Sequence, residues 1–375
     1  MRIRKLICLL AAAAVALCGC QVSGEVENQA YVLVLGIDTR ASGSLELTAR
    51  VPRIGKGKPD EAGGGDYLLF SAAGGDWPRA LDALEQVTPR QMNLSHIEMI
   101  VASETVARSD GFERLVAQVA ETPHLYTTAR FVVCDGRASD FISAQQTVIG
   151  TRLSSELRAM LDHYARLGYI PDASFADAWY LGNSIYGDAV AIRAGLAPSS
   201  DDAPAVSMID PVPPTDDGAQ SPMRQRYSGT VLFRQGRMAG TLDAGQTRLL
   251  NLIRGSVDAF PFECDGRAYT LTPEGRARLG VEFTGGAARL TLDMTLSTLD
   301  DVCAGDAARL KAQLAQALTR IIRACQRLGA EPFGFSEVAA GRFVTVPEWQ
   351  DCGWRERYGR AEVTVSVRIK TRGDP

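Results

Sequence analysis

The chain has 375 residues, 46% of them hydrophobic and 22% charged, with a formal net charge of −4. That apolar content excludes a disordered polymer, and the length allows two or three domains with buried cores. The acidic balance lacks the basic footprint with which a nucleic-acid-binding protein meets phosphate.

In chain order, Arg2, Arg4 and Lys5 come first, ahead of an apolar segment from Leu6 to Leu17. A helix needs about 20 residues to span a bilayer, so this shorter segment reads as the h-region of a secretory signal peptide over 1–19. Leu17, Cys18 and Gly19 then lead into Cys20, which resembles the lipobox of bacterial lipoproteins, with Cys18 where Ala or Ser is more usual. Cys20 is therefore the expected lipidation site. A diacylglyceryl thioether there would supply two acyl chains, and two chains give stable anchoring where one is marginal. No later segment holds eighteen uninterrupted apolar residues, so no other span is expected.

The expected fold class is α+β (mixed α/β), multi-domain, with mixed or antiparallel sheets and helices packed on them. The stretch 20–196 is expected as an N-terminal mixed α/β domain. AYVLVLGID (30–38) is an almost continuous apolar run, and LELTARV (45–51) alternates, with Leu45, Leu47, Ala49 and Val51 on one face. The TRASGS between them reads as a hairpin loop. PRIGKGKPDEAGGG (52–65) reads as a long loop before a third strand, DYLLFSAA. Asp76 is placed to cap a helix through Trp77, Ala80, Leu81 and Leu84, with Pro78 tolerated in its first turn. HIEMIVAS (96–103) and YTTARFVVC (126–134) read as strands, GFERLVAQVAE (111–121) and RASDFISA (137–144) as helices. Ser154 is placed to cap another helix, with Leu157, Met160, Leu161, Tyr164 and Leu167 inward and Gly168 as its stop.

Residues 197–226 are crowded with Pro, Asp and Ser and are expected to be a disordered linker. A small middle unit at 227–275 follows, with two strands around Gln235-Gly236 and then a helix. The last expected domain is 276–375. ARLTLDMTLS (288–297) and EVTVSVRIK (362–370) both alternate as half-buried strands do. Between them a helix over 306–328, capped by Asp306 and stopped by Gly329, carries the apolar stripe Leu310, Leu314, Leu318, Ile321, Cys325 and Leu328. Leu314, Leu318 and Ile321 are expected to pack on Leu290, Leu292, Val365 and Val367.

Catalytic patterns are sparse. His96, His124 and His163 have no nucleophile beside them, and no GxSxG, HExxH or P-loop occurs. GGGD (63–66) lacks the lysine and opening strand of a phosphate cradle. Cys134, Cys264, Cys303, Cys325 and Cys352 form no CxxC pair, so neither a metal nor a cofactor is expected. One disulfide among the last four and buried free thiols are both open. PEWQDCGWRERY (347–358) is either a binding patch or a packing cluster built on Trp349, Trp354 and Tyr358.

Taken in order, several stretches resemble the Ger(x)C lipoproteins, the C subunits of bacterial spore germinant receptors. They are the lipidated Cys20, AYVLVLGIDTRASGSLELTARV, LSHIEMIVASETVARSDGFERLV, GTVLFRQGRMAGTLDAGQTRLLNLIRG and the tail from LTRIIRACQRLGAEPFGFSE to its final strand. This sequence departs from the family's usual pattern at Gln21, often Trp, and at Glu331-Pro332, where Asp is frequent. The resemblance implies three mixed α/β domains and no catalysis. It also implies attachment to the outer face of the inner spore membrane, beside an A subunit and a multi-span, permease-like B subunit. Such a complex senses nutrients, and the C subunit would act in it as scaffold or signal relay. A solute-binding lipoprotein of an importer and a membrane-anchored hydrolase are the competing readings. Against the importer, the sequence shows no pair of similar lobes around a hinge.

Overall fold

The computed structural model describes residues 28–53, 67–144, 153–182, 184–198 and 223–371. The expected signal segment, Cys20, the GGGD stretch and residues 199–222 of the expected linker lie outside the described residues.

The apolar run at 30–38 splits into β1 (Gln29–Tyr31) and β2 (Val34–Thr39), and a hairpin leads to β3 (Leu45–Pro52) and β4 (Tyr67–Gly74). Asp76 caps α1 (Trp77–Val87) as expected, its side chain accepting from the Arg79 amide. Then come β5 (Gln91–Asn93), β6 (Met99–Ser103), α2 (Glu104–Ala107), α3 (Phe112–Ala120), β7 (Arg130–Cys134) and α4 (Ala138–Ser143). Two more helices, α5 (Leu153–Arg166) and α6 (Phe175–Gly182), precede β8 (Val190–Pro198). α5 opens one residue before its expected cap, and Gly168, with φ +79°, turns the chain after it. The first lobe closes with β9 (Met223–Arg234), β10 (Arg237–Leu242) and α7 (Ala244–Arg254).

Eight of these strands form one sheet in the order β10-β9-β8-β7-β6-β2-β3-β4, while β1 and β5 pair apart from it. Its centre is parallel, β2 to β6 to β7 to β8, and both flanks are antiparallel. Both faces are covered. On β6, Met99 and Val101 join one core while Ile100 and Ala102 join the other; on β7, Val132 and Cys134 part in the same way from Phe131 and Val133. The second face explains a departure on β3. Alternation predicts Thr48 and Arg50 in water, yet both are buried. α4 lies over them: Arg50 Nη1 donates to the Ile142 carbonyl at 2.8 Å, and the guanidinium sits 4.6 Å from the Tyr67 ring centre.

The second lobe contains β11 (Phe260–Cys264), β12 (Arg267–Pro273), β13 (Arg278–Thr284), β14 (Ala287–Ser297) and α8 (Ala304–Leu328). Three short helices follow, α9 (Phe335–Ala340), α10 (Val346–Asp351) and α11 (Trp354–Arg360), and then β15 (Glu362–Lys370). The strand order is β11-β12-β14-β13, with β15 parallel along the free edge of β14. α8 opens earlier than expected. Cys303, not Asp306, is its cap, and Asp306 stands in the first turn beside Arg309. Gly329 stops it at φ +68°. Leu310, Leu314, Leu318, Ile321 and Cys325 are buried in one cluster with Leu290, Leu292 and Val367, and Val365 is half-buried against it. The strand–helix–strand unit is formed as the two alternating strands require.

The expected boundaries at 197–226 and 227–275 differ from the observed connections. Residues 197–198 belong to β8 and 223–226 to β9, paired from Pro198↔Met223 onward. β9, β10 and α7 complete the first lobe, whereas β11 and β12 belong to the second sheet. The physical reason is that a two-stranded hairpin is marginal alone. β9 buries Val231 and Phe233 on one face and Thr230 and Leu232 on the other, so it needs a neighbour and covers on both sides.

Candidate functional site

The lobes meet at a cleft of about 560 Å³, lined from one side by Glu113, Ile185, Asp188 and Gln235 and from the other by Glu331, Trp349, Trp354, Arg355 and Tyr358. Asp188 lies just before β8, and its carboxylate is nearly inaccessible to solvent. It accepts from both terminal nitrogens of Arg355 on α11, at 3.0 and 3.1 Å. It also accepts from the amides of Glu331 at 2.9 Å and Gln235 at 3.1 Å. Its own amide donates to the Glu331 carbonyl at 3.0 Å. One aspartate thus ties the start of β8, the β9–β10 turn, the segment after α8 and α11 together. A two-pronged guanidinium–carboxylate pair holds orientation as well as distance.

Glu331, whose main chain is part of that junction, also has a buried side chain. Its Oε1 accepts from the amides of Phe333, Gly334 and Phe335 at 3.0–3.1 Å, and Oε2 from the amide and hydroxyl of Ser336 at 3.0 and 2.5 Å. Gly334, at φ +96°, makes the turn that brings these amides round one carboxylate, a backbone that disfavours any side chain. Burial holds the Glu331 carboxyl above its usual range, and the hydroxyl and amide of Ser336 with the amides of Phe335 and Phe333 offset part of that rise. Since every partner donates, the pocket is shaped for the ionised form.

The wall of the cleft is aromatic. Tyr186 stacks on Trp349 at 6.0 Å, Trp349 meets Trp354 at 5.7 Å, and Trp354 meets Tyr358 at 5.9 Å. Trp349 Nε1 crosses the lobe boundary to donate to the Ile185 carbonyl at 3.2 Å. The cluster seen in PEWQDCGWRERY is therefore a packing cluster, with all three rings buried. Among the described residues, Trp354 Nε1 and Tyr358 Oη have no hydrogen-bond partner. Burial, together with the negative charges of Glu331 and Asp188 and the Cys325 thiol, holds the Tyr358 phenol well above its usual range. Burial likewise pushes the Cys325 thiol up to about 12, which keeps it protonated and inert.

This arrangement fastens and orients. Both carboxylates are saturated with donors, so neither is free to take a proton from a substrate. The three histidines are not brought together: His96 stands edge-on to Tyr31, His163 lies beside Tyr164, and His124 sits in a turn at φ +60°. All five described cysteines are free. Sequence reasoning singled out the tryptophans but missed Asp188 and Arg355, and met Glu331 only as a departure from the family's pattern.

Two family models match in succession. The spore germination protein N-terminal domain covers residues 23–193, and the spore germination B3/GerAC-like C-terminal domain covers 228–374. The chain belongs to the GerAC-like family of germinant-receptor C subunits. A solved structure, described as the crystal structure of the GerBC protein, is similar at 14% identity and a TM-score of 0.48, over 90% of this chain and 96% of that one. No curated protein matches. In this GerAC-like chain the first match ends inside β8 and the second begins inside β9, so the eight-stranded sheet takes strands from both. The cleft likewise joins both, Asp188 from one and Glu331 and Arg355 from the other.

Proposed function

We propose that this chain is a non-enzymatic lipoprotein subunit of a nutrient germinant receptor, held by a diacylglyceryl group on Cys20 at the outer face of the inner spore membrane. It works there as scaffold or signal relay beside the A and B membrane subunits. The observation that carries the reading is the pair of GerAC-type matches, which together span residues 23–193 and 228–374. The lipobox-like residues before Cys20 support the anchor. The cleft supports a mechanical role, because its charged groups are spent on one another and fix one lobe against the other.

The test is genetic. Deleting the gene should abolish the germination response to at least one nutrient, read as loss of optical density of a spore suspension, and the wild-type gene should restore it. Cys20→Ala should restore it poorly, and mass spectrometry of the wild-type protein should find a lipid-modified Cys20. Spores of the deletion strain that respond normally to every nutrient would overturn the reading.

A further inference from the structure

A second concavity, of about 1190 Å³, lies away from the interlobe cleft, between α7 and α8 and over β11. Arg320, Arg323 and Arg327 stand exposed along its α8 wall, at helical spacing i, i+3 and i+7. Arg248 faces them from α7, its guanidinium 4.8 Å from the Tyr169 ring centre. Among the described residues none of these four arginines has a carboxylate partner. Two acids reach the groove. Asp243 is occupied as the cap of α7, where it accepts from the Gln246 amide at 2.8 Å, and Glu263 lies exposed at the rim. The floor is apolar, with Ile321 and Ala317 buried and Leu249 and Phe262 left half-buried. A four-arginine groove on a chain of net charge −4 concentrates one sign of charge at one place.

We infer that this groove docks an acidic amphipathic helix of a partner protein, with carboxylates on the arginines and apolar side chains on Leu249 and Phe262. The inference rests on the reading of the chain as a subunit of a larger complex, and it names the surface that complex would use. Charge complementarity selects an acidic occupant. The spacing selects a helix: Arg320 to Arg327 spans about 10 Å of α8 at 1.5 Å per residue, so carboxylates two turns apart on a facing helix would match it. Shape disfavours a membrane. A flat anionic surface reaches the rim arginines but leaves the concave floor in water, whereas a helix with an apolar stripe fills it.

The test uses the full-length lipidated chain in bilayer discs of neutral lipid. The probe is a fluorescent helical peptide of about five turns, with leucine along one face and glutamate along the other. Anisotropy should show saturable binding that weakens with salt. The same peptide with lysine for glutamate should not bind. The triple variant Arg320→Glu, Arg323→Glu, Arg327→Glu should bind at least about tenfold more weakly, a loss of about 1.4 kcal/mol or more. Its unfolding midpoint should be unchanged, since all three side chains are exposed, and the corresponding triple change to lysine should keep most of the affinity. Equal binding of both peptides, or no effect of charge reversal, overturns the inference. So does arginine-dependent binding of vesicles containing phosphatidylglycerol in place of the peptide, which would give the groove to the membrane. In spores the two readings separate. If deletion abolishes a nutrient response and the charge-reversed gene restores it fully, the groove inference falls and the receptor reading stands. If deletion changes no response, the receptor reading falls whatever the peptide does.

Discussion

Five donors converge on the Glu331 carboxylate, four of them backbone amides gathered by the Pro332–Gly334 turn. Without an acceptor there, those amides would be buried and unpaired, each at a cost of about 1–3 kcal/mol. Glu331→Gln is the sharper test, because it keeps the shape and replaces one acceptor oxygen by an amide that points donors at donors. It should lower unfolding stability by about 2–4 kcal/mol in a denaturant titration, given the loss of charge-assisted bonds at a buried site. Glu331→Asp keeps the charge and should lose less. A Gln variant as stable as wild type would mean that the carboxylate is held protonated and that its five bonds are misread. The sequence shows a glutamate beside a Pro-Phe-Gly turn, which is a cue to tight backbone but not to burial. Burial came from the fold: α9 and the start of β8 close over it. Asp188 gives still less notice. Its partners Gln235, Glu331 and Arg355 are 47, 143 and 167 positions away, and no local pattern carries a contact of that range.

Among the elements, α8 is the one the sequence announces most plainly, because an apolar residue every three or four positions over 25 residues leaves one face to bury. Ile321 is 2% exposed and Arg320 stands on the outer face. Ile321→Ala should therefore cost about 2–5 kcal/mol, the range for truncating a large aliphatic side chain in a core, and Arg320→Ala should change the midpoint little. Small and equal effects from both changes would show that the stripe is not packed on β14 and β15. The pairing of β8 with β9 was hidden for a physical reason. A strand covered on both faces loses the alternation that marks a half-buried one, and VAIRAGLAP reads as a short apolar run beside a Pro- and Asp-rich stretch. Composition placed a linker across 197–226, but main-chain pairing takes 197–198 into β8 and 223–226 into β9. The cap of α8 slipped for a smaller reason: Asp306 is the better capping residue by propensity, but Cys303 holds the extended backbone and its sulfur accepts from the Asp306 amide at 3.4 Å.

On the scale of the whole molecule, the two family-matched halves do not make two separate cores. One apolar cluster runs from Val132 and Ile192 under the first sheet, through Leu250 and Phe260, to Leu290, Leu318 and Trp354 in the second lobe. The Asp188–Arg355 pair and the Trp349–Ile185 bond cross the same boundary. A subunit that relays a signal by moving as one body needs such continuity, and a subunit that hinges between its lobes would break it. Unfolding distinguishes these. Trp77 and the more exposed Trp179 lie in the first lobe, whereas Trp349 and Trp354 lie in the second, and Trp77, Trp349 and Trp354 are buried. Tryptophan fluorescence of Trp77→Phe should report the second lobe more heavily, and that of Trp349→Phe the first. With a shared core, both curves and the far-ultraviolet dichroism of wild type should each give a single transition without a plateau, as a cooperative unit does. Arg355→Ala then probes the pair itself. It leaves Asp188 buried with two amides for partners, which should cost about 3–5 kcal/mol, and coupling in the cycle with Asp188→Asn should fall within about 0.5–3 kcal/mol. If the lobes are fastened at this point, Arg355→Ala should also split the single transition into two, with the lobe reported by Trp349 and Trp354 melting apart from the one reported by Trp77. A variant that loses stability but keeps one transition in every probe would assign the joining of the lobes to the apolar cluster alone, and the ion pair to local order in the cleft.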